Sequence, residues 1–559
     1  MFLTMLGTLL IPVATWFYMV ASIVKDPYLD EVFHVRQAQH YCNARFDIWD
    51  PKITTPPGLY ILSDLGSKLP FISCDINALR GLNVLGIVLL GVVARHSYSK
   101  RFTAHGRSLP SIFDHSALNI ALFPPLFFFS ALYYTDIWST LLVVTFYTQL
   151  PLGNQHGGDH GTQSMKLVAL GLASLMFRQT NIFWVAIFPA ALVTMQQLDQ
   201  GHQAVKDSMY REVPGFGDSW YNVVKTSYKM QVIYDPPIKD AFLESYLATL
   251  VSMIACALKL ITQPKKVVSL LLMLAPYLTL LTTFAGFVLW NRSVVLGDKS
   301  NHTATLHLPQ MLYIWPFITF FSWPVLYPYL LLTPISIISW LSLPLSSLET
   351  LQIVRRGKLL PRTSIALLAV SLACLIVYAN TIVHPFTLAD NRHYVFYIFK
   401  LLLRPWWMRY AVAPLYVICG WASIQALGGG PSKGRRSSDT AKATTLPDGQ
   451  HSATVGFALI WIATSALQLI TAPLVEPRYF ILPWVFWRMH LPLQVPYTEG
   501  ASTKPEGQAL RQALVADYDH RVWIETAWMF IMNAATGFIF LYWSFAWPQE
   551  PGEVQRFMW

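Results

Sequence analysis

Charged side chains are scarce in this sequence. Asp, Glu, Lys and Arg make up 13% of 559 residues, while 54% are hydrophobic and 14% aromatic. Soluble domains carry about a quarter charged residues, so a water-soluble globular chain is excluded. Cysteine is also sparse, with only Cys42, Cys74, Cys256, Cys374 and Cys419. Five scattered thiols exclude a disulfide-dense scaffold. Cys42 and Cys74 flank one polar loop and could pair if that loop faces an oxidising lumen. Internal repeats are absent. The longest polar stretches, 197–245 and 488–521, are too short for an independent soluble core. The formal net charge is +10, but the basic residues sit in short loops between apolar runs. The positive-inside rule accounts for them without a nucleic-acid partner.

What is present is a series of long apolar runs, which makes the chain an all-α polytopic membrane protein. Windows of about 20 residues mark spans near 1–24, 78–95, 117–134, 137–152, 165–196, 246–262, 267–290, 311–348, 363–383, 408–427, 453–473 and 522–547. The first is too long for the apolar region of a signal peptide and suits a spanning anchor. The 165–196 run is interrupted by "FRQTN" and reads as one kinked span or as a hairpin. The 311–348 run holds Pro316, Pro324, Pro328, Pro334 and Pro344 and crosses once or three times. Four basic loops, Arg95 to Arg101, Gln263 to Lys266, Arg355 to Arg362 and Pro431 to Ser438, set the parity. Placing all four in the cytosol gives about 12 spans (up to 14) with both ends cytosolic. Loops 25–77, 134–136, 291–310, 384–400 and 474–521 then share the opposite, lumenal side. The Gly-, Ser- and Lys-containing stretch 428–450 reads as a flexible cytosolic linker.

The lumenal loops hold the residues that need explaining. "KDPYLDEVFHVRQAQHY" (residues 25–41) presents Asp26, Asp30, Glu31 and His34 directly after an uncharged span. Asp26-Pro27 fits a helix N-cap followed by proline at the first helical position. Asp30 and Glu31 then lie in the first turns of an interfacial helix, with Asp30 and His34 on one face. Val32, Phe33 and Val35 are expected to rest on the membrane boundary. Dipole complementation explains one acid, worth ~0.3–1 kcal/mol; an adjacent pair beside a histidine fits acid–base chemistry as well. "WDPKITTPPGLYIL" (residues 49–62) encodes a rigid, proline-fixed turn.

Other polar clusters end spans on the same side. "YYTD" places Asp136 at a span boundary, where a surface cap is the simpler reading. Arg178 of "FRQTN" sits inside an apolar run, where an ionisable group costs ~2.5–3.5 kcal/mol and faces a partner or a cavity. "GDKSNHTATLHLPQ" offers Asp298, Lys299, His302 and His307, in a spacing that matches no metal site, and Asn291 and Asn301 form sequons. "ADNRHYVFY" packs Asp390, Asn391, Arg392, His393 and Tyr394 together, a set suited to an anionic ligand. "LVEPRYFILP" sets Glu476 and Arg478 at a span end, either as a local ion pair or as part of a site.

In order and in wording, these blocks resemble the dolichyl-phosphate-glucose-dependent alpha-1,2-glucosyltransferase family of the endoplasmic reticulum, within the type-C glycosyltransferases. The resemblance runs from about residue 25 to 483. It implies a type-C bundle with short lumenal interfacial helices and a single integral membrane domain, whose first lumenal loop, 25–77, is catalytic. It implies dolichyl-phosphate-glucose as donor, diphosphodolichol-linked Glc2Man9GlcNAc2 as acceptor, and the endoplasmic reticulum lumen as the place of reaction. No metal and no cofactor beyond the donor are expected. Inversion needs a carboxylate to take the acceptor's proton and cations around the leaving phosphate. Related enzymes place the base at the position of Asp30, with Glu31 the fallback. Arg392 and His393 are the candidates for the phosphate, followed by Arg178 and Arg478. His34, Asp136, Asp298, His302, Asp390, Asn391, Tyr394 and Glu476 complete the expected substrate site. The rival readings are a transporter or channel lined by Arg178, Asp136 and Asp390, and a non-catalytic membrane regulator.

Overall fold

Helices dominate because the apolar runs must satisfy their backbone hydrogen bonds internally. The computed structural model describes residues 2–69, 73–103, 111–151, 160–199, 216–217, 219–299, 305–340, 363–383, 387–388, 390–429, 453–472, 474–493, 519–546 and 554–559. The expected substrate residue His302, the sequon Asn301 and nearly all of the 428–450 linker lie outside the described residues. Among the described residues, nine helices are long and apolar enough to cross a membrane.

The first helix, α1 (Phe2–Ile23), leads into the two short helices of the first loop, α2 (Glu31–Cys42) and α3 (Gly58–Ser67). The side that carries them is the site face. The chain leaves it through α4 (Ile76–Thr103) and returns through α5 (Ser111–Ala121) and α6 (Pro124–Phe129). Arg95 pairs with Asp114 at 2.6 Å where α4 and α5 meet on the far face. A hairpin of α7 (Asp136–Thr148) and α8 (His160–Leu175) follows, and a π-helical turn (Phe183–Ile187) opens α9 (Phe188–Leu198). The ambiguous 165–196 run is therefore two helices. Its "FRQTN" interruption is the turn between them on the site face, where the Met176 carbonyl accepts from Gly58 N at 2.7 Å.

On the far face lie α10 (Trp220–Met230) and α11 (Leu243–Ile261). The expected span at 246–262 is this helix, but both of its ends stay on that face. Just before its start, Ile238 N donates to Ala453 O; just after its end, Lys266 Nζ donates to Gln231 Oε1. Its packed side is small and polar (Ser245, Ala248, Thr249, Ser252), and its exposed side is Leu247, Leu250, Ile254 and Leu258. That inverted pattern is what a lipid-facing helix requires. The chain then crosses through α12 (Pro264–Asn291), α13 (Gln310–Trp340) and α14 (Thr363–Asn380), and α15 (Tyr394–Leu403) and α16 (Met408–Ala411) lie between α14 and α17 (Ala413–Leu427).

Three helices complete the bundle: α18 (Val455–Ile470), α19 (Ile481–Met489) and α20 (His520–Tyr542). All nine residues of α19 are buried. Its Trp484 stacks on Phe123 with ring centroids 3.7 Å apart, and its indole N–H groups donate to Ser322 and, from Trp487, to the Ser423 carbonyl. This helix descends to the far face, where His490 meets Tyr147 at the end of α7 at 2.7 Å. The expected lumenal loop 474–521 is thus corrected: of its described residues, only the first stay on the site face. The following α20 rises from Tyr327 on the far face back to Tyr28. A two-stranded hairpin, β1 (Phe545–Ala546) and β2 (Val554–Gln555), then lies on the site face. The two ends of the chain therefore occupy opposite faces, against the expectation that both are cytosolic.

Candidate active site

The helix carrying the acidic pair begins at Glu31, with Asp30 as its flanking residue. Asp26-Pro27 does not cap it; instead the Asp26 carbonyl accepts from Arg80 Nη2 at 3.2 Å. Val35 of α2 packs with Tyr41, Ile53, Tyr60 and Tyr133 in a separate core beneath the loop, and Phe33 packs against that core. Cys42 and Cys74 form a disulfide that ties the end of α2 to the approach to α4. The proline turn works as a junction. Thr54 O accepts from Gln179 Nε2 and from Leu296 N, and Pro51 O accepts from Asp298 N. Gly58 has to be glycine, because a Cβ there would sit 2.5 Å from Met176 O.

The two adjacent acids separate sharply. Glu31 is fully buried against Arg80, which donates from Nε and Nη2 at 2.8 and 2.7 Å. Tyr133 N and Tyr28 N donate to the same carboxylate at 2.8 and 3.1 Å. Arg80 also donates from Nη1 to Val24 O at 2.6 Å. Asp30, by contrast, is 55% exposed and lies 3.5 Å from Arg478 Nη2. Leu29, just before it, has φ of +53°. A non-glycine residue there costs of order 1–3 kcal/mol and persists only where its surroundings over-determine it.

Arg478 joins this acid to a polar cleft. Its Nη2 is 2.9 Å from Glu476 Oε2, and its guanidinium lies over the rings of Phe129 and Tyr134. Burial opposes its charge, but Glu476, Asp136 and Asp30 outweigh that and hold the guanidinium firmly protonated. The cleft is lined by Asp136, Ser139, Thr140, Arg178, Thr180, Asn181, Gln468, Arg478, Ile481 and Leu482. Asp136 is buried within it and pairs with Arg178 Nη1 at 3.2 Å, so it is not a surface cap. His34 stands on the same side as Asp30, with Nδ1 2.6 Å from the Tyr60 hydroxyl. Burial drives its ring down to about 4, against the pull of Asp30 and with a further push from Arg478. The imidazole is therefore neutral near pH 7.

The 390–394 block sits beside Tyr28 but is organised differently. Arg392 forks onto Asp390, with Nε and Nη2 at 2.8 and 2.7 Å, and its Nη1 donates to Gln555 at 2.8 Å. Burial would raise the Asp390 carboxyl, but the hydrogen bonds from Arg392 outweigh it and hold it low. His393 Nδ1 is 3.2 Å from Trp559 O, and the Tyr394 ring lies edge-on to Trp559. Asn391 is half-buried. Asp298 is tied by its backbone to the proline turn.

The structure thus sets Asp136, Arg178 and Arg478 in the lining of one cleft, pairs Asp30 and Glu476 with Arg478 and leaves His34 beside them, and it keeps Asp390 to Tyr394 as a neighbouring cluster joined to the chain's last residues. Sequence reasoning missed Arg80. The signal was available, because an arginine inside an apolar helix has to face a partner, as was argued for Arg178.

A family model described as the DIE2/ALG10 family matches residues 24–489. The chain belongs to that family. Three relatives carry the name Dol-P-Glc:Glc(2)Man(9)GlcNAc(2)-PP-Dol alpha-1,2-glucosyltransferase. The one from Aspergillus fumigatus is 39% identical, covering 99% of this chain and 96% of its own length. Those from Emericella nidulans and Homo sapiens are 36% and 30% identical, over 99% and 96% of this chain and 97% and 94% of theirs. No solved structure matches this chain.

Proposed function

We propose that this protein is the glucosyltransferase that moves glucose from dolichyl-phosphate-glucose, in alpha-1,2 linkage, onto diphosphodolichol-linked Glc2Man9GlcNAc2. Family membership and the names of its near-full-length relatives support the substrates. The reaction runs in the lumen of the endoplasmic reticulum, on the face that bears α2 and α3. The chain crosses the membrane an odd number of times, with its first residues cytosolic and its last lumenal.

One observation carries the mechanism: of the two adjacent acids only Asp30 is open to a substrate, at the rim of an arginine-lined cleft. Asp30 takes the proton from the acceptor's 2-hydroxyl. The freed oxygen attacks the anomeric carbon of the donor, the bond from that carbon to the phosphate oxygen breaks, and the phosphate leaves with the electron pair. One in-line displacement inverts the beta donor into the alpha product. The leaving group is already a stable anion and needs no general acid, only donors that meet its growing charge. Arg478 and Arg178 supply them. Arg392, with Nε, Nη1 and Nη2 engaged by Asp390 and Gln555, serves the neighbouring cluster instead of the phosphate. Neutral His34 and Asp136 offer hydrogen bonds to sugar hydroxyls.

Asp30→Asn keeps the side chain's size and removes its ability to accept a proton. Turnover of the purified variant with both lipid-linked substrates should fall by ~10²–10⁴-fold at matched folded protein. Wild-type turnover would remove Asp30 from the chemistry.

A further inference from the structure

The last residues of the chain lie across the site face and touch both halves of it. After β2, Met558 N donates to Arg392 O at 2.9 Å, Tyr394 N donates to Met558 O at 3.3 Å, and His393 and Met558 form a parallel bridge. Met558 is buried, and the Trp559 ring packs against Tyr394 and Phe321 at 5.0 and 5.5 Å. Gln555 Oε1 accepts from Arg392. On the other side, Arg556 N donates to the Tyr28 hydroxyl, which in turn donates to Arg556 O, both at 2.7 Å. The Arg556 guanidinium donates to the Phe540 and Leu541 carbonyls at the end of α20, a usual way for arginine to satisfy a helix C-terminus.

Tyr28 is two residues before Asp30, and the residue between them is the strained Leu29. A left-handed leucine stays in place only if both of its flanks are fixed. Glu31 anchors one flank through Arg80 and reaches the other through the Tyr28 amide, and the Tyr28 hydroxyl adds a second tie on that side, to Arg556. Burial raises the Tyr28 hydroxyl to about 12, so it remains a donor at any physiological pH.

We propose that residues 554–559 are a positioning strap, which clips the turn carrying Asp30 to the Asp390–Tyr394 cluster and so sets the base against the cleft. Tyr28, Gln555 and Arg556 are its positioning residues; none of them touches the reacting atoms. The inference rests on Asp30 being the base. Release of the Tyr28 flank lets Leu29 relax and moves Asp30 relative to Arg478, and misplacement of a reacting group by about 1 Å can cost ~10²-fold in rate.

Tyr28→Phe removes only the hydroxyl and keeps the ring packed on Phe540 (5.7 Å). In the purified full-length chain its kcat should fall about 10- to 100-fold, per folded molecule, with the donor KM within about twofold. Gln555→Ala tests the strap without touching the turn. Its kcat should also fall, and Gln555→Glu, which keeps an acceptor for Arg392, should restore it. An unchanged kcat per folded molecule in Tyr28→Phe or in Gln555→Ala overturns the strap, as does a loss confined to KM. Asp30→Asn, assayed alongside, separates the two readings. If it is inactive while Tyr28→Phe turns over normally, the strap is wrong and the base stands; if it turns over normally, both fail.

Discussion

Glu31 and Arg80 form the strongest test of how the acidic pair is divided. Both side chains are wholly buried, the guanidinium makes four hydrogen bonds, two to Glu31 and two to backbone carbonyls, and the carboxylate also receives two backbone N–H donors. Removing one partner of such a pair strands a charge and costs about 3–5 kcal/mol. Glu31→Gln and Arg80→Met should each lose that much. At about 2 °C per kcal/mol for a long chain, the melting temperature in detergent should drop by roughly 6–10 °C. Adding the two losses gives about 6–10 kcal/mol, yet the pair removed together leaves no stranded charge. The double variant Glu31→Leu/Arg80→Met therefore orphans only backbone groups, the Tyr28 and Tyr133 amides and the Val24 and Asp26 carbonyls. Its loss should fall short of the two single losses added together, as for any two residues in direct contact. Thermal unfolding followed by gel filtration reads stability, and glucose transfer normalised to folded protein reads chemistry. By loosening the Leu29 turn, Glu31→Gln should also lower turnover per folded molecule, by no more than about 10²-fold, against the ~10²–10⁴-fold loss expected for Asp30→Asn. A Glu31→Gln protein with a normal melting temperature and the catalytic loss expected of Asp30→Asn would reverse the roles of the two acids.

Two shorter tests probe electrostatics and topology. His34 titrates near 4 when folded and near 6.5 when unfolded, so below pH 6.5 the unfolded chain binds a proton that the folded chain refuses. Stability should fall as pH drops from about 6.5 to 4, and His34→Gln should flatten that slope in thermal unfolding; an unchanged slope would contradict the burial of the ring. A long flexible sequon-bearing tag appended after Trp559 should be glycosylated in microsomes, and the same tag inserted after Ser437 should not. A bare tag at Trp559 would restore the arrangement with both ends cytosolic.

The membrane class, most of the helices and the polar clusters at their ends were legible because each leaves a mark in composition. Apolar length reveals lipid-facing spans, and a polar cluster at a span end stands out against its surroundings. What escaped is physically distinct. Helix α19 has only nine residues and is buried on all sides, so it needs neither the length nor the uniform apolarity of a span in contact with lipid. Helix α11 passes every hydropathy test yet returns to the face it left, because hydropathy reports contact with lipid and not direction. Reading 165–196 as one crossing and 246–262 as another placed the Gln263–Lys266 loop correctly, since the two errors cancel. The α19 error had no partner to cancel it, and the end of the chain was assigned to the wrong face. The contacts of residues 554–559 with Tyr28 and Arg392 could not be read from sequence at all, because they join positions 528 and 163 residues apart, in large part through backbone groups that carry no residue signature.

The division of labour between Asp30 and Glu31 follows from helix geometry. Successive helical residues point about 100° apart, so neighbours at the start of α2 cannot share an environment. The direction that takes Glu31 inward, onto Arg80 and the Tyr133 amide, takes Asp30 outward to the rim beside Arg478. A general base must meet the proton it removes at about 2.6–3.2 Å. Glu31, enclosed by four N–H donors, offers no path for a substrate hydroxyl. Asp30 has one guanidinium at 3.5 Å, long for a committed ion pair, and more than half of its surface open. The same arginine also lines the cleft. In the proposed reaction a phosphate bound there would draw on the charge that Asp30 otherwise shares, which would couple donor binding to the freeing of the base through Arg478 while the buried Glu31–Arg80 pair holds the turn.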